Sequence, residues 1–172
     1  MFDLRILIAN IVTVIAQLFL LHASTRKTKK ETIVFQLVFL VLISITNILL
    51  NSITSIIVNS MAILRNILAY YDKSNNVITV LMVLISTSLG LYFNNNGIFG
   101  IFPIIANISE TVTILNPKST IAQIKISGII SNSCWVIMTI VIKNYVGTIF
   151  DFMAAIGYAS YFFQKNKSHQ LK

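Results

Sequence analysis

Charged residues are scarce in this 172-residue chain, which carries 13 basic and 5 acidic side chains. A soluble domain of this length would carry about 43 charged residues, or roughly a quarter of its sequence. Because 56% of the residues are hydrophobic, too few polar side chains remain to cover a water-soluble globule. The composition argues against a soluble enzyme or a disordered tail and favours a membrane protein with several spans.

Cysteine and histidine are also rare, with Cys134 as the single cysteine and two histidines. One cysteine excludes an intramolecular disulfide framework and a CxxC zinc site. The sequence contains no glycine-rich phosphate loop, no HExxH motif and no GxSxG motif. We therefore expect no enzyme activity, no catalytic residues and no metal or cofactor. The net charge of +8 lies mainly between apolar segments, where it sets orientation in a membrane, so nucleic-acid binding is not expected.

What the chain has instead is a series of apolar runs separated by short polar breaks. Most runs approach the ~20 residues that cross a bilayer. The stretch 32–71 would extend about 60 Å as one helix, so we expect it to turn at Asn51–Ser55. These runs predict an all-α polytopic membrane protein with seven transmembrane helices near residues 4–21, 32–50, 54–71, 77–93, 98–115, 121–142 and 146–163, followed by a basic cytoplasmic tail at 164–172.

The basic residues predict the orientation of the chain. If the first helix enters from outside, only Arg5 and Lys143 fall on the outer side. This bias places the N-terminus outside and the C-terminus in the cytoplasm. The basic residues assigned to the cytoplasmic side are Arg26, Lys27, Lys29, Lys30, Lys73, Lys118, Lys125, Lys165, Lys167 and Lys172.

Seven spans also suit a 3+1+3 arrangement, in which two parallel three-helix bundles, 4–71 and 98–163, are joined by a linker helix at 77–93. A faint internal repeat is consistent with this division. The tetrapeptide Ile8–Ile11 recurs as Ile105–Ile108. This match has two interpretations: a repeat of two three-helix units, or a chance match in an isoleucine-rich chain.

Ionisable residues within the spans are the main functional candidates, because a charge in hydrocarbon is costly and usually faces the interior of a bundle. Arg65 and Glu110 lie at one predicted depth, which suggests an interior ion pair or an inner gate. Alternatively, Arg65 reaches the interface and Glu110 meets Lys118 or Lys125. Asp151 is expected towards the outer side, either as an acidic site or as a residue favoured by the helix dipole.

Polar and aromatic residues within the spans suggest a binding site for a small polar solute. Asn10 and Asn107 occupy matching positions of the faint repeat, and Asn59 and Trp135 complete the candidate substrate-binding set. The alternative is that the amides bond one another across helices and that Trp135 packs in the core.

Three groups of residues carry a family resemblance. They are Asn59–Asn66 in the third helix, Pro103–Ala106 in the fifth, and Ser133–Ile137 followed by Gly147 and Asp151. In order and spacing they resemble the YgjV-type family of bacterial inner-membrane proteins over essentially the whole chain. The sequence departs from that pattern at Met138–Thr139 and in having Asp rather than Glu in the last helix.

The resemblance implies a location in the bacterial cytoplasmic (inner) membrane. Its seven-span layout is similar to that of the SWEET, PQ-loop and PnuC transporters, although the proline-glutamine pair is absent and fold alone does not fix function. Two hypotheses follow: a facilitator or transporter of a small polar solute, or a non-transporting scaffold or partner-binding subunit. The expected partners are the lipid bilayer and such a solute, and association into a homo-oligomer is left open.

Overall fold

The computed structural model describes residues 4–142 and 144–170, so Lys143 and Lys172, which entered the charge comparison, lie outside the described residues. This part of the chain is helical and contains no strand. A single 3-10 turn, Gly97–Gly100, leads into the fifth helix. The α-helices are α1 (Leu4–Thr25), α2 (Lys29–Leu49), α3 (Ile53–Tyr70), α4 (Asn76–Tyr92), α5 (Ile101–Ile114), α6 (Ile121–Val141) and α7 (Tyr145–Gln170).

Side-chain caps define the starts of α2, α4 and α6. The Thr28 hydroxyl accepts from the Glu31 amide, and the Asn75 side chain accepts from the Ile78 amide. Thr120 and Gln123 form a reciprocal capping box at the start of α6. These three caps lie at the end of the bundle that carries the basic loops at 26–28, 71–75 and 115–120, which we call the basic end.

Three helices extend beyond their predicted limits. The first helix continues to Thr25, the second begins at Lys29, and the last continues past Phe163 to Gln170. The apolar runs marked only the part of each helix suited to hydrocarbon. Backbone hydrogen bonding continues into the polar flanks because these contain neither glycine nor proline, the two strongest helix breakers.

Six of the helices form a closed ring. Around it, α1 packs on α2, α2 on α3, α3 on α5, α5 on α6, α6 on α7, and α7 on α1. The remaining helix, α4, packs on α3 and α5. For description, α1–α3 and α5–α7 are called the two units. The two units meet at two junctions, α3 with α5 and α7 with α1.

The distribution of polarity is that of a membrane protein. Among the described residues, buried polar and charged side chains outnumber buried apolar ones, while many leucines, isoleucines and valines are exposed. Within the described residues, six helical segments are long and apolar enough to cross a membrane, with α5 counted together with its leading 3-10 turn as Gly97–Ile114; the 17-residue α4 is a shorter apolar helix. The chain is therefore a polytopic membrane protein whose ring encloses polar groups and whose outer surface is apolar.

Candidate functional site

A cavity of about 50 Å³ lies inside the ring. A buried water needs at least about 10 to 15 Å³ of such volume, so the cavity can hold on the order of four waters. Every ring helix contributes a polar side chain to its wall. In chain order from α1 to α7, one such residue from each ring helix is Gln17, Gln36, Asn59, Asn107, Asn132 and Asp151.

The cavity extends along the bundle from an ion pair to the loops opposite the basic end. Asn47 lies in the last turn of α2, and Ile142 and Asn144 lie between α6 and α7; all three line the cavity. Arg65 and Glu110 line it as well, one to two turns from the basic ends of α3 and α5. The cavity is therefore displaced away from the basic end.

Arg65 is fully buried and holds the α3–α5 junction together. Its Nη2 lies 2.7 Å from Glu110 Oε2, and its Nη1 donates to Asn107 Oδ1 at 3.1 Å. Its Nε donates to Asn66 Oδ1 at 3.0 Å. Three of the five guanidinium N–H groups are thus used, and the rigid fork of the guanidinium fixes these partners relative to one another.

A chain of amides continues from Arg65 across the ring. Asn66 Nδ2 donates to Gln36 Oε1 at 3.4 Å, a long bond, and Gln36 Nε2 donates to the Tyr158 hydroxyl at 3.3 Å. Tyr158 is fully buried. Through these contacts a polar layer joins α5, α3, α2 and α7 across the interior of the bundle.

Between this layer and the basic end, an apolar cluster fills the space among α2, α3, α4 and α5. It consists of Ile33, Ala69, Met82, Ile114 and Leu115. These side chains are buried, three of them to 1% exposure or less. The cluster excludes water from this side of the ion pair, because close-packed aliphatic groups offer water no hydrogen-bond partner.

Two lysines tie the units together near the same end. Lys125 of α6 is fully buried, and its Nζ donates to Ser24 O at 2.7 Å and to Ala23 O at 3.4 Å in the last turn of α1. Lys29 of α2 donates to Asn116 O, just beyond α5, at 3.1 Å. Each lysine thus neutralises carbonyls at the C-terminal end of a helix in the other unit, where a cation is favoured.

The position of Lys125 corrects part of the sequence interpretation. The sequence places it on the cytoplasmic side and offers it as an alternative partner for Glu110. In the structure it is an interior cation bonded to α1 carbonyls, and Glu110 instead pairs with Arg65.

Asp151 occupies the other junction, between α7 and α1. It is 4% exposed, and its Oδ1 accepts from Gln17 Nε2 at 2.9 Å. Gln17 is 2% exposed, and its own carbonyl oxygen, Oε1, has no hydrogen-bond partner. Asp151 lies about two turns from the start of α7, nearer the end opposite the basic end, and the elongated cavity has Asp151, Arg65 and Glu110 along its wall.

Two further residues present groups to the cavity. The Asn59 side chain is buried and lines the cavity, and it makes no hydrogen bond to the described part of the chain. Trp135 of α6 is half-buried and also lines the cavity. An amide with unused donors and acceptors and an aromatic face are thus both available to a small molecule.

Comparison with known proteins identifies the family. A family model described as Imp-YgjV, bacterial inner membrane protein, matches residues 7–167. The chain belongs to this family. No curated protein and no solved structure matches it. Membership of the Imp-YgjV family, together with the membrane-spanning helices, places the chain in the bacterial inner membrane as a multi-pass protein and agrees with the resemblance found in the sequence.

Six of the seven candidate residues found in this Imp-YgjV sequence lie on the cavity wall. They are Asn59, Arg65, Asn107, Glu110, Trp135 and Asp151. The seventh, Asn10, is half-buried on α1 and is not among the lining residues. Its proposed equivalence to Asn107 rested on a match of four residues, whereas Gln17, two turns further along α1, reaches the cavity instead.

The sequence interpretation did not single out Gln17, Gln36, Lys125 or Tyr158. Gln17 and Gln36 were recognised as amides within spans, but nothing in the pattern separated a cavity-facing amide from one that bonds a neighbouring helix. Lys125 lies four residues after the first residue of α6 and therefore resembled an interfacial charge. Gly128 was the available signal that α6 and α7 pack closely, because its missing side chain leaves room for the Tyr158 ring.

Proposed function

We propose that this Imp-YgjV protein is a facilitator or transporter of a small polar solute, which passes between the two three-helix units. The observation that carries the proposal is the cavity to which every ring helix contributes a polar side chain. Polar and charged groups are expensive within a membrane, and they usually face a functional cavity or pathway there. A scaffold stabilised by helix packing would need fewer of them.

The identity of the lining residues supports the same proposal. The two hypotheses drawn from the sequence differ in whether a cavity exists that is lined by Asn10, Asn59, Arg65, Asn107 and Trp135. The last four line the cavity, and Asn10 does not. A dry, fully interdigitated bundle would have supported the scaffold hypothesis.

The contacts between α1–α3 and α5–α7 suggest how access alternates. The Arg65–Glu110 pair, the Gln36–Tyr158 bond and both lysine contacts each join α1–α3 to α5–α7. Rocking of one unit against the other would therefore break this layer as a group. With the N-terminus outside, the basic end faces the cytoplasm and the structure corresponds to a state closed on the cytoplasmic side.

Cavity access can be tested without knowing the solute. In a Cys134→Ser background, Ser131→Cys places a thiol on the cavity wall, while Ser133→Cys, on the same helix, places one on the exposed outer surface. A membrane-impermeant methanethiosulfonate reagent added outside intact cells should modify the first and spare the second, because lipid excludes the charged reagent. Equal protection of both positions would contradict a water-accessible pathway.

Transport itself is tested with purified protein in sealed vesicles. Uptake of labelled amino acids, amines, sugars, nucleosides and vitamins is compared with that of protein-free vesicles. Saturable uptake of at least one solute, abolished by Asn59→Leu, is expected. A protein that remains folded and takes up no member of the panel would favour the non-transporting scaffold.

A further inference from the structure

We propose that Asp151 and Gln17 bind the ammonium group of the solute, so that the protein's substrates are small, positively charged primary amines. This inference rests on the proposed function, and it assigns the substrate class of that same cavity.

Asp151 is a buried carboxylate without a basic partner among the described residues. Its one hydrogen bond there comes from the neutral amide of Gln17. The two fully buried basic side chains are committed elsewhere, since Arg65 pairs with Glu110 and Lys125 binds α1 carbonyls. A carboxylate removed from water and left without a counter-charge is strongly destabilising, so this position favours a cation supplied by a ligand.

The orientation of Gln17 adds a second acceptor. In the structure Gln17 turns its NH₂ group towards Asp151, whose Oδ1 accepts from it. This orientation leaves Gln17 Oε1 buried and unpartnered on the cavity wall. A buried carbonyl oxygen without a donor costs roughly as much as a lost hydrogen bond, so it too favours a ligand that donates.

The other groups on the wall agree with a monovalent organic cation. Arg65 and Glu110 neutralise one another, so Asp151, when ionised, gives the cavity one excess negative charge for a bound cation to balance. An ammonium group brings one positive charge and three N–H donors. Trp135 offers an aromatic face that attracts such a cation. Ca²⁺ or Mg²⁺ would instead require six or more oxygen ligands.

The cavity volume limits the size of the amine. About 50 Å³ accommodates a ligand in place of a few waters. This suits a short alkylammonium ion or the ammonium end of a slightly longer molecule in a more open state.

Ligand binding to the purified wild-type protein tests the inference directly. Methylammonium, ethylammonium and ethanolammonium should raise the apparent melting temperature, because a ligand that binds only the folded state stabilises it. Ethylene glycol at the same concentration is a neutral control, and sodium and tetramethylammonium chlorides are cations without N–H donors. Stabilisation by none of the three amines, or equal stabilisation by a control solute, would overturn the inference.

Asp151→Asn separates the charge from the fold. The substituted amide can still accept from Gln17, so the α7–α1 contact is retained, while the negative charge is lost. Ethylammonium affinity should fall about tenfold or more, the effect expected on losing a charge-assisted hydrogen bond. The matched control is Asp72→Asn, an exposed site with φ of 54°, a conformation that asparagine adopts readily. Unchanged affinity in Asp151→Asn would contradict the proposal.

A tethered cation provides a test that needs no ligand. Gln17→Lys places an ammonium group beside Asp151, so it should raise the melting temperature of the wild-type protein and lower that of the Asp151→Asn variant. It should also abolish amine binding by filling the site. A Gln17→Lys protein that is equally destabilised with and without the Asp151 charge would rule out a cation site.

Uptake measurements distinguish failure of this inference from failure of the proposed function. Amine binding that depends on Asp151, without uptake into vesicles, would support the cation site and overturn transport. Saturable uptake of a neutral solute that is insensitive to Asp151→Asn would support transport and overturn the amine assignment.

Discussion

Arg65 Nη2 and Glu110 Oε2 lie 2.7 Å apart and link the two three-helix units through α3 and α5. The Arg65 side chain is 1% exposed and that of Glu110 is 14% exposed. The pair therefore combines a structural junction with the edge of the cavity. Loss of either charge would leave the other without a counter-charge in a nearly dry environment.

We predict that Glu110→Gln destabilises the protein by about 3 kcal/mol, the lower part of the range for breaking a buried pair because Glu110 retains some exposure. The exchange of Arg65→Glu with Glu110→Arg should recover part of this loss. The free energies of unfolding in a denaturant titration, combined in a double-mutant cycle, measure the coupling. Additive losses would show that the two residues do not interact energetically.

An exposed ion pair serves as the control for that cycle. Lys30 and Asp72 lie 3.2 Å apart with side chains 65% and 76% exposed. Breaking such a pair typically changes stability by less than about 1 kcal/mol. The free energy of unfolding of Asp72→Asn should therefore be close to that of the wild type.

We predict that Asn59→Leu abolishes solute binding while leaving the melting temperature nearly unchanged. Asn59 faces the cavity and makes no hydrogen bond to the described part of the chain, so its removal leaves no protein partner unsatisfied. Asn10→Leu is the matched control, since Asn10 does not line the cavity. If solute binding survives Asn59→Leu but is lost in Asn10→Leu, the assignment of Asn10 to the binding site from the repeat would be restored. The claim that the cavity is the binding site would then be contradicted.

We predict opposite labelling at the two ends of the bundle. In a Cys134→Ser background, Asn96→Cys should react with an impermeant maleimide in intact cells, whereas Lys27→Cys, in the exposed loop after α1, should react only after permeabilisation. The reason is the excess of basic residues at the Lys27 end. The reverse pattern would invert the orientation.

We predict that Lys125→Met loosens the basic end. Loss of charged hydrogen bonds from Lys125 to Ser24 and Ala23 should weaken this closure by about 1.5 to 3 kcal/mol and increase the open population about 10- to 150-fold. In inverted vesicles, where the basic end faces the medium, Ser131→Cys should then be labelled faster. Lys118→Met, at an exposed loop position, should have no such effect. Equal labelling rates in both variants would assign Lys125 a role in packing alone.

The membrane helices could be predicted from hydropathy because apolar runs and polar breaks are local properties. All seven helices lie where the sequence places them, and the errors occur at the ends, as in the extension of α7 to Gln170. Helix ends in the polar flanks depend on backbone bonding and caps such as Thr28, which hydropathy does not report. The pairing of helices around the ring was not predicted, because it depends on contacts far apart in sequence.

Part of the candidate site was predictable as well, because a charged residue within an apolar run is also a local property of the sequence. Arg65, Glu110 and Asp151 stand out because a charge within an apolar run is rare. Gln17 and Asn10 are both amides within the first span, and the sequence does not show which of them faces the cavity. The direction of Gln17 is fixed when α1 packs against α7. The burial of Lys125 and its contacts with α1 were not predicted, because proximity to a helix start in sequence does not reveal which neighbouring helix a side chain meets.

The reciprocal lysines have a consequence for biosynthesis. Ser24 and Lys125 are 101 residues apart, and Lys29 and Asn116 are 87 apart. At roughly 5 to 20 residues per second, the ribosome needs about 5 to 20 s to span the longer interval. During that time the terminal carbonyls of α1 lack their lysine donor, and the nascent N-terminal half must rely on water or lipid head groups. The bundle therefore closes late, and the second half of the chain completes the folding of the first.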